Sequence, residues 1–396
     1  MQNYKKIIEL LDSEACKSFI KELVNVPPAD IALHYRNKLP CDASALALII
    51  QLYKKAAEKL PLWTENYCAL TPRSFEQATS QVVASYKSTF ISGGKLLVLA
   101  GGLGVDEWAF STAFSSIVSI DNDEGLNEIV AFNSSKLKVN NVKRITTTAE
   151  KFISANKETF DCVYTDPDRR DEKGARKITL TDSQPDIIGL YPQLCKITHK
   201  IIVKASPMLD IKAAVTELPG VNEVRVIAVK GEVKEILLTS QSGYSGTPNY
   251  KAANYENGQW QEFSATPEQD IEISSSHGPY FFEPNAAIIK AGLHHALANN
   301  LQLNGIDKNS AYYTGNAAVG FQGRMFKIIS VVPFSKSKIN AYLKEQNIKA
   351  ANVAKRNFRL TTEDLKKTFK IKDGGPEYLF FTQQNGQGLM FHCRRG

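Results

Sequence analysis

Between residues 95 and 240, apolar runs of four to eight residues alternate with stretches of helical period, and no other feature restricts the fold as strongly. Strands are expected at 96–100, 117–121, 144–147, 160–165, 200–204, 222–229 and 235–239, with helices such as 107–114, 124–138 and 185–196 between most of them. Parallel neighbours need crossovers of this kind, so the alternation demands a mostly parallel sheet covered by helices on both faces. The last two runs lie so close around Lys230-Gly231 that they read as a hairpin, which makes the final strand antiparallel.

The rest of the chain divides around this block. A length of 396 residues is too great for one ordinary core. Residues 1–70 read as a helical region: Phe19, Ile20 and Leu23 make one apolar stripe, and Asp42 or Ser44 can cap a helix carrying Leu46, Ile49 and Leu52. Residues 71–242 form the α/β domain, entered by a helix near 75–87. The stretch 243–277 is rich in Ser, Gly, Thr, Pro and Asn and reads as a linker or an excursion. A new unit begins in 278–320, where Glu283-Pro284-Asn285 opens a helix. Residues 321–396 add a last α+β unit whose final strands bracket a hairpin turn at Asn385-Gly386.

Composition excludes several classes. Hydrophobic content of 43% and charged content of 22% are those of a soluble globular protein. No apolar run reaches the length of a membrane span, and no long apolar segment follows the N-terminal residues, so the cytoplasm is the expected location. Cysteines 16, 41, 68, 162, 195 and 393 form no CxxC pair and the six histidines are dispersed, so neither a disulfide frame nor a metal site is expected. Charge is unevenly spread. From Phe321 to Gly396 there are 15 Lys and Arg against 5 Asp and Glu, a net +10; the whole chain carries +7, which leaves −3 for the remainder. Basicity concentrated at one end is the footprint of a polyanion partner, against the blander reading of a solvated surface.

Three strand ends carry groups suited to a nucleoside cofactor, at the sheet edge where ligands of such folds bind. Gly101-Gly102-Leu103-Gly104 follows the first strand, where glycines permit positive φ and close backbone approach. Asp121, ahead of Asn122 and Asp123, ends the second strand and can accept hydrogen bonds from vicinal ribose hydroxyls; Asp123 reads equally well as a helix cap. After the third strand an adenine can lie against Ala149. The fourth strand delivers Asp166-Pro167-Asp168-Arg169-Arg170: a carboxylate to hold a substrate N–H, a rigid proline, and two guanidiniums able to clamp a phosphate. A structural ion-pair network is the competing explanation. Ser206-Pro207-Met208-Leu209-Asp210, after Lys204, adds another strand-end loop, whereas Cys162 within a strand reads as core.

These strings resemble a bacterial family of class I S-adenosylmethionine-dependent methyltransferases with a C-terminal THUMP-like domain, related to RNA cap guanine-N2 methyltransferases. The resemblance begins at Leu70-Thr71-Pro72-Arg73-Ser74-Phe75-Glu76-Gln77-Ala78-Thr79-Ser80 and runs through the glycine turn to Asp106 and the strings at 166–170 and 204–210. It continues through Lys234-Glu235, Tyr280-Phe281-Phe282-Glu283-Pro284-Asn285, Lys355-Arg356-Asn357-Phe358 and Lys372-Asp373-Gly374-Gly375. It implies a Rossmann-like α/β sheet with an antiparallel last strand, followed by a ferredoxin-like segment and a THUMP-like domain. It also implies methyl transfer from S-adenosylmethionine to a base of ribosomal or transfer RNA, with the basic tail gripping the RNA. The catalytic set it implies is Asp166, Pro167, Arg169 and Arg170. The cofactor set is Gln77, Ser80, Gly101, Gly102, Gly104, Asp106, Asp121, Asn122, Ala149 and Glu150. Val98 stands where such enzymes usually begin the motif with an acidic residue, and Thr148 where Asp is frequent. These departures leave a second reading open, a methyltransferase fold without catalysis that presents RNA.

Overall fold

A computed structural model describes residues 4–35, 39, 41–167, 180, 183–267, 270–273 and 276–395. Backbone contacts divide the chain into two compact units, Met1–Asn222 with Leu238–Gly246, and Glu223–Leu237 with Thr247–Gly396. One sheet has nine strands: β1 Gly93–Leu99, β2 Phe114–Asp121, β3 Val142–Thr146, β4 Cys162–Thr165, β5 Lys200–Ala205, β6 Val221–Val229, β7 Glu232–Gln241, β8 Asn249–Glu256 and β9 Gln259–Ala265. Their order is β3-β2-β1-β4-β5-β7-β6-β8-β9.

In the first unit β1 pairs in parallel with both β2 and β4, β2 with β3, and β4 with β5. Helices Val105–Phe110, Glu124–Lys136, Ala149–Ala155, Ile187–Ile197 and Ile211–Glu217 make the crossovers. All four residues of β4 are buried, as expected of a strand covered on both faces. The chain runs outward from β1 in both directions, so the switch point lies between β1 and β4, and ligand crevices open at the carboxyl edge there. Lys230 and Gly231 have φ of 52° and 76°, the mirror-image turn that reverses β6 into an antiparallel β7.

The N-terminal helices do not form a core of their own. Leu11, Ile20, Leu46, Ile50 and Trp63 share one apolar cluster with Leu103, Val105, Ala109 and Ile129 of the sheet domain. Buried Asn133 fixes the junction: its Oδ1 accepts from Ala69 N at 2.6 Å and its Nδ2 donates to Ala69 O at 3.0 Å. None of the helices among the described residues is long and apolar enough to cross a membrane.

The expected linker 243–277 instead carries two strands, β8 and β9. β8 lies parallel to β6 and antiparallel to β9, and Asn257-Gly258, with φ of 51° and 82°, makes the turn between β8 and β9. Polar composition disguised a hairpin that its Asn-Gly pair announces.

The second unit also holds a seven-stranded sheet built from β10 Tyr280–Pro284, β11 Asn304–Gly305, β12 Tyr313–Gly315, β13 Gly323–Pro333, β14 Asn352–Lys355, β15 Glu377–Gln384 and β16 Gln387–Arg395. The order β11-β12-β10-β13-β16-β15-β14 fuses the 278–320 and 321–396 segments into one sheet. Helices Lys336–Glu345 and Thr362–Phe369 set Ile339, Leu343, Leu365 and Phe369 over Leu379, Phe381 and Met390. A separate aromatic cluster gathers Phe281, Phe326, Phe380 and Phe391.

Glu283 fastens the two segments. Its carboxylate accepts from Arg324 Nε at 2.8 Å and from Arg356 Nη2 at 3.4 Å, while Arg356 lies over the Tyr312 ring. Glu283→Ala is expected to lower the stability of this unit by about 2 kcal/mol, the worth of a charge-assisted hydrogen bond to a buried group. Arg324→Ala, whose side chain is 44% exposed, should cost less than about 1 kcal/mol. Guanidinium unfolding curves for the two variants compare them directly, and equal losses would count against this role for Glu283.

Candidate functional site

Two side-chain clusters flank the turn after β1. On the β2 side, Gly102 is fixed through both of its peptide groups. Its N–H donates to Asp121 Oδ2 at 2.9 Å, and its carbonyl accepts from Nη1 and Nη2 of Arg144, both at 3.0 Å. Asp121 Oδ1 accepts from Asp123 N at 3.0 Å. Arg144 also faces Glu107, whose carboxylate accepts from the Ser119 hydroxyl. Burial pushes the Glu107 carboxyl up, against the opposing pull of Arg144 and Ser119.

This packing explains the first glycine. A Cβ on Gly101 would lie 2.1 Å from Glu107 Oε1, 2.4 Å from Arg144 Nη2 and 2.5 Å from Ser119 Oγ. Gly102 differs: it sits at φ +55° and a Cβ there would meet nothing within 4 Å, so its open side faces free space. Gly104, at φ +78°, begins the helix Val105–Phe110.

On the β4 side a buried lysine organises the second cluster. The Lys87 side chain is 0% exposed, and its ammonium lies 2.8 Å from Asp106 Oδ1 and donates to Tyr164 OH at 2.9 Å. Tyr164 donates to Asp106 Oδ2 at 2.8 Å, and Thr79 Oγ1 donates to the same oxygen at 3.1 Å. Lys204 then donates to Asp166 Oδ2 at 2.6 Å and to Thr79 Oγ1 at 2.8 Å, and lies 3.7 Å from Asp106 Oδ2. Burial alone would raise the Asp106 pKa; the charges of Lys87 and Lys204, with hydrogen bonds from Lys87 and Tyr164, outweigh it and hold the group at about 2.

The expected site residues fall into three groups. Gly101, Gly102, Gly104, Asp106, Asp121 and Asp166 come together on these adjoining strand ends, with Pro167 buried behind Asp166. Gln77, Asn122 and Glu150 are exposed, Ser80 is half-buried, and Ala149 is buried at the start of its helix. Thr148 and Asp123 are helix caps, accepting from Lys151 N and Leu126 N. Asp168, Arg169 and Arg170 lie outside the described residues.

Sequence reasoning passed over Lys87, Tyr164, Thr79, Glu107 and Arg144. Lys87 left one trace: it shares the helical stripe of Val83 and Ala84, a face whose other members are apolar. A small cavity lies behind the glycine turn, walled by Trp63, Leu103, Glu107, Trp108, Val130 and Asn133 among others, and neither Asp121 nor Asp166 contributes to it. Among the described residues no cluster of His, Cys, Asp and Glu is arranged to hold a metal ion.

Comparison with known proteins places this geometry. A ferredoxin-like domain family matches residues 280–321, and a THUMP domain-like family matches residues 323–395. No curated protein sequence matches the chain. Among solved structures, a candidate methyltransferase from Porphyromonas gingivalis W83 is 27% identical with a TM-score of 0.84, over 99% of this chain and 98% of that one. A precorrin-6y C5,15-methyltransferase from Geobacter metallireducens GS-15 is 13% identical with a TM-score of 0.33, over 46% of this chain and 96% of that one. A candidate methyltransferase from Streptococcus mutans in complex with S-adenosylhomocysteine is 11% identical with a TM-score of 0.30, over 43% and 99%. The full-length likeness and the strand order give this chain a methyltransferase fold followed by ferredoxin-like and THUMP-like segments.

The Asp106 cluster makes acid stability a test of its geometry. An Asp106 carboxyl ordinarily titrates near 3.8 and here near 2, so its contribution is complete above the first value and is lost as pH falls through the second. The native chain should lose about 2 kcal/mol between about pH 4 and pH 2 that Asp106→Asn does not lose. Parallel stability curves for the two proteins would show that the carboxylate is not held as described.

Proposed function

We propose that this chain is an S-adenosylmethionine-dependent methyltransferase acting on RNA, at a base of ribosomal or transfer RNA, with its basic C-terminal segment holding the nucleic acid. The observation that carries the reading is a pair of carboxylates, Asp121 and Asp166, flanking the glycine turn at the switch point of a methyltransferase-type sheet.

The residues fit such a cofactor. Each Asp121 oxygen holds one backbone amide and keeps acceptor capacity for a ribose hydroxyl. Gly102 leaves open space beside its Cα, while Gly101 and Gly104 set the turn. Ala149, small and buried, suits an adenine edge, with Gln77, Ser80, Asn122 and Glu150 completing the set. Asp106 supports this edge from below rather than reaching out, since its oxygens are taken by Lys87, Tyr164 and Thr79.

When bound, the cofactor supplies a methyl group already activated on a sulfonium, so the protein's work is alignment. Asp166 accepts a hydrogen bond from the acceptor N–H and orients its lone pair along the line of transfer. Pro167 limits the freedom of that loop. Arg169 and Arg170 clamp a backbone phosphate of the substrate. Farther along the chain, Lys336, Lys338, Lys344, Lys367, Lys370 and Lys372 are exposed on or beside the two C-terminal helices, where they meet further phosphates.

Total RNA from a strain lacking the gene should be missing, or depleted in, one methylated nucleoside that the parent strain contains, as read by mass spectrometry. Identical nucleoside profiles would remove the enzymatic reading. RNA binding by the full chain should weaken steeply between about 50 and 200 mM salt, by at least about tenfold, through counterion release. An affinity that ignored salt would detach the basic segment from RNA recognition.

A further inference from the structure

We propose that Lys204 is a positioning residue of the acceptor side, acting by holding the Asp166 carboxylate at the sheet edge; this rests on the methyl-transfer reading. The backbone fixes the pair. Thr165 and Val203 are register partners of β4 and β5, so Asp166 and Lys204 are the next residues outward on adjacent strands. Their meeting is a product of sheet register rather than a chance surface encounter.

The ammonium joins four segments. It donates to Asp166 after β4 and to Thr79 between two helices, and it lies beside Asp106 at the start of the helix after the glycine turn, while its own stem belongs to β5. Lys204 is 11% exposed in its side chain, whereas Asp166 is 41% exposed and has room to turn outward.

Charge explains why the cation is needed. Asp106 is already met by Lys87. Among the described residues Lys204 is therefore the counter-charge for Asp166, and removing it leaves Asp166 and Asp106 with Lys87 as the described cation beside them. Repulsion from Asp106 then favours an outward Asp166, and the hydrogen-bond acceptor leaves the place where the substrate nitrogen must be aligned. Of the groups assigned to the cofactor, Asp106 keeps Lys87, Tyr164 and Thr79 when Lys204 is removed, Asp121 ends β2 across β1 from this pair, and the glycine turn keeps its contacts to Asp121 and Arg144.

The test uses the full chain, tritiated S-adenosylmethionine and total RNA from a strain lacking the gene. Lys204→Met should lower kcat by about 100-fold, the usual penalty for misplacing an aligned group, with the Kd for S-adenosylhomocysteine unchanged in calorimetry. Lys204→Arg keeps the charge and should recover activity to within about tenfold of the native chain. In an Asp166→Asn background, where no carboxylate needs a partner, Lys204→Met should lower kcat by less than about threefold. A native rate in Lys204→Met, or an equal loss in the Asn background, overturns the proposal. If the native chain transfers no methyl group, the function proposed above fails instead. The Lys204 claim is then decided by crystal structures of the native chain and Lys204→Met: an Asp166 carboxylate that keeps its place without the lysine sinks it, and one that turns outward sustains it.

Discussion

The ammonium of Lys87 has no contact with water, and the β4 side of the sheet edge is arranged around that fact. A bare charge in such a place costs several kcal/mol, so it must be met by an opposite charge and by further acceptors. Asp106 supplies the charge and Tyr164 the second acceptor. Each is then committed. Asp106 cannot turn toward solvent, Tyr164 bridges the two, and Thr79 and Lys204 arrive on the outer oxygen of the same carboxylate. A buried cation in the helix before β1 thus dictates the groups at the ends of β4 and β5, where Asp166 emerges half-exposed.

The other side of the switch point is ordered by a different economy of groups. Arg144 reaches from β3 to cap the Gly102 carbonyl, while Asp121 holds the Gly102 amide, so the two peptide planes on either side of Gly102 are each gripped. Glu107 and Ser119 complete the packing around Gly101. Preorganisation of this kind lets a backbone turn present itself to a ligand without first paying to order its own atoms.

Much of this was legible in the sequence, and the exceptions have physical causes. Alternating periods located the parallel sheet and the closing hairpin because burial on both faces leaves a strong apolar signature. The glycine turn was legible too, although Gly101 answers to its own neighbours, Glu107, Arg144 and Ser119, rather than directly to a ligand. Lys87 was hidden because a lysine in a helix normally points to water, and only its place beside Val83 and Ala84 hinted otherwise. The β8–β9 hairpin was obscured by polar residues, since an outer pair of strands with one exposed side needs few apolar positions. Fusion of the two C-terminal segments into one sheet is made by β10 pairing with β13, with Glu283 meeting arginines 41 and 73 residues away, and no local pattern encodes such contacts.

That fusion bears on how the C-terminal unit carries its charge. Arg324 and Arg356 share the single Glu283 carboxylate and Arg394 pairs with Glu377, whereas Lys336, Lys338, Lys367 and Lys370 are exposed. The planar fork of arginine suits Arg324, Arg356 and Arg394 to pairing with carboxylates of the sheet, even where, as at Arg324 and Arg394, about half of the side chain is exposed. Crowded like charges destabilise the fold that bears them, and the aromatic packing of Phe281, Phe326, Phe380 and Phe391 is where the offset is found. The exposed lysines on and beside the two C-terminal helices are the groups on which the proposed contact with RNA draws.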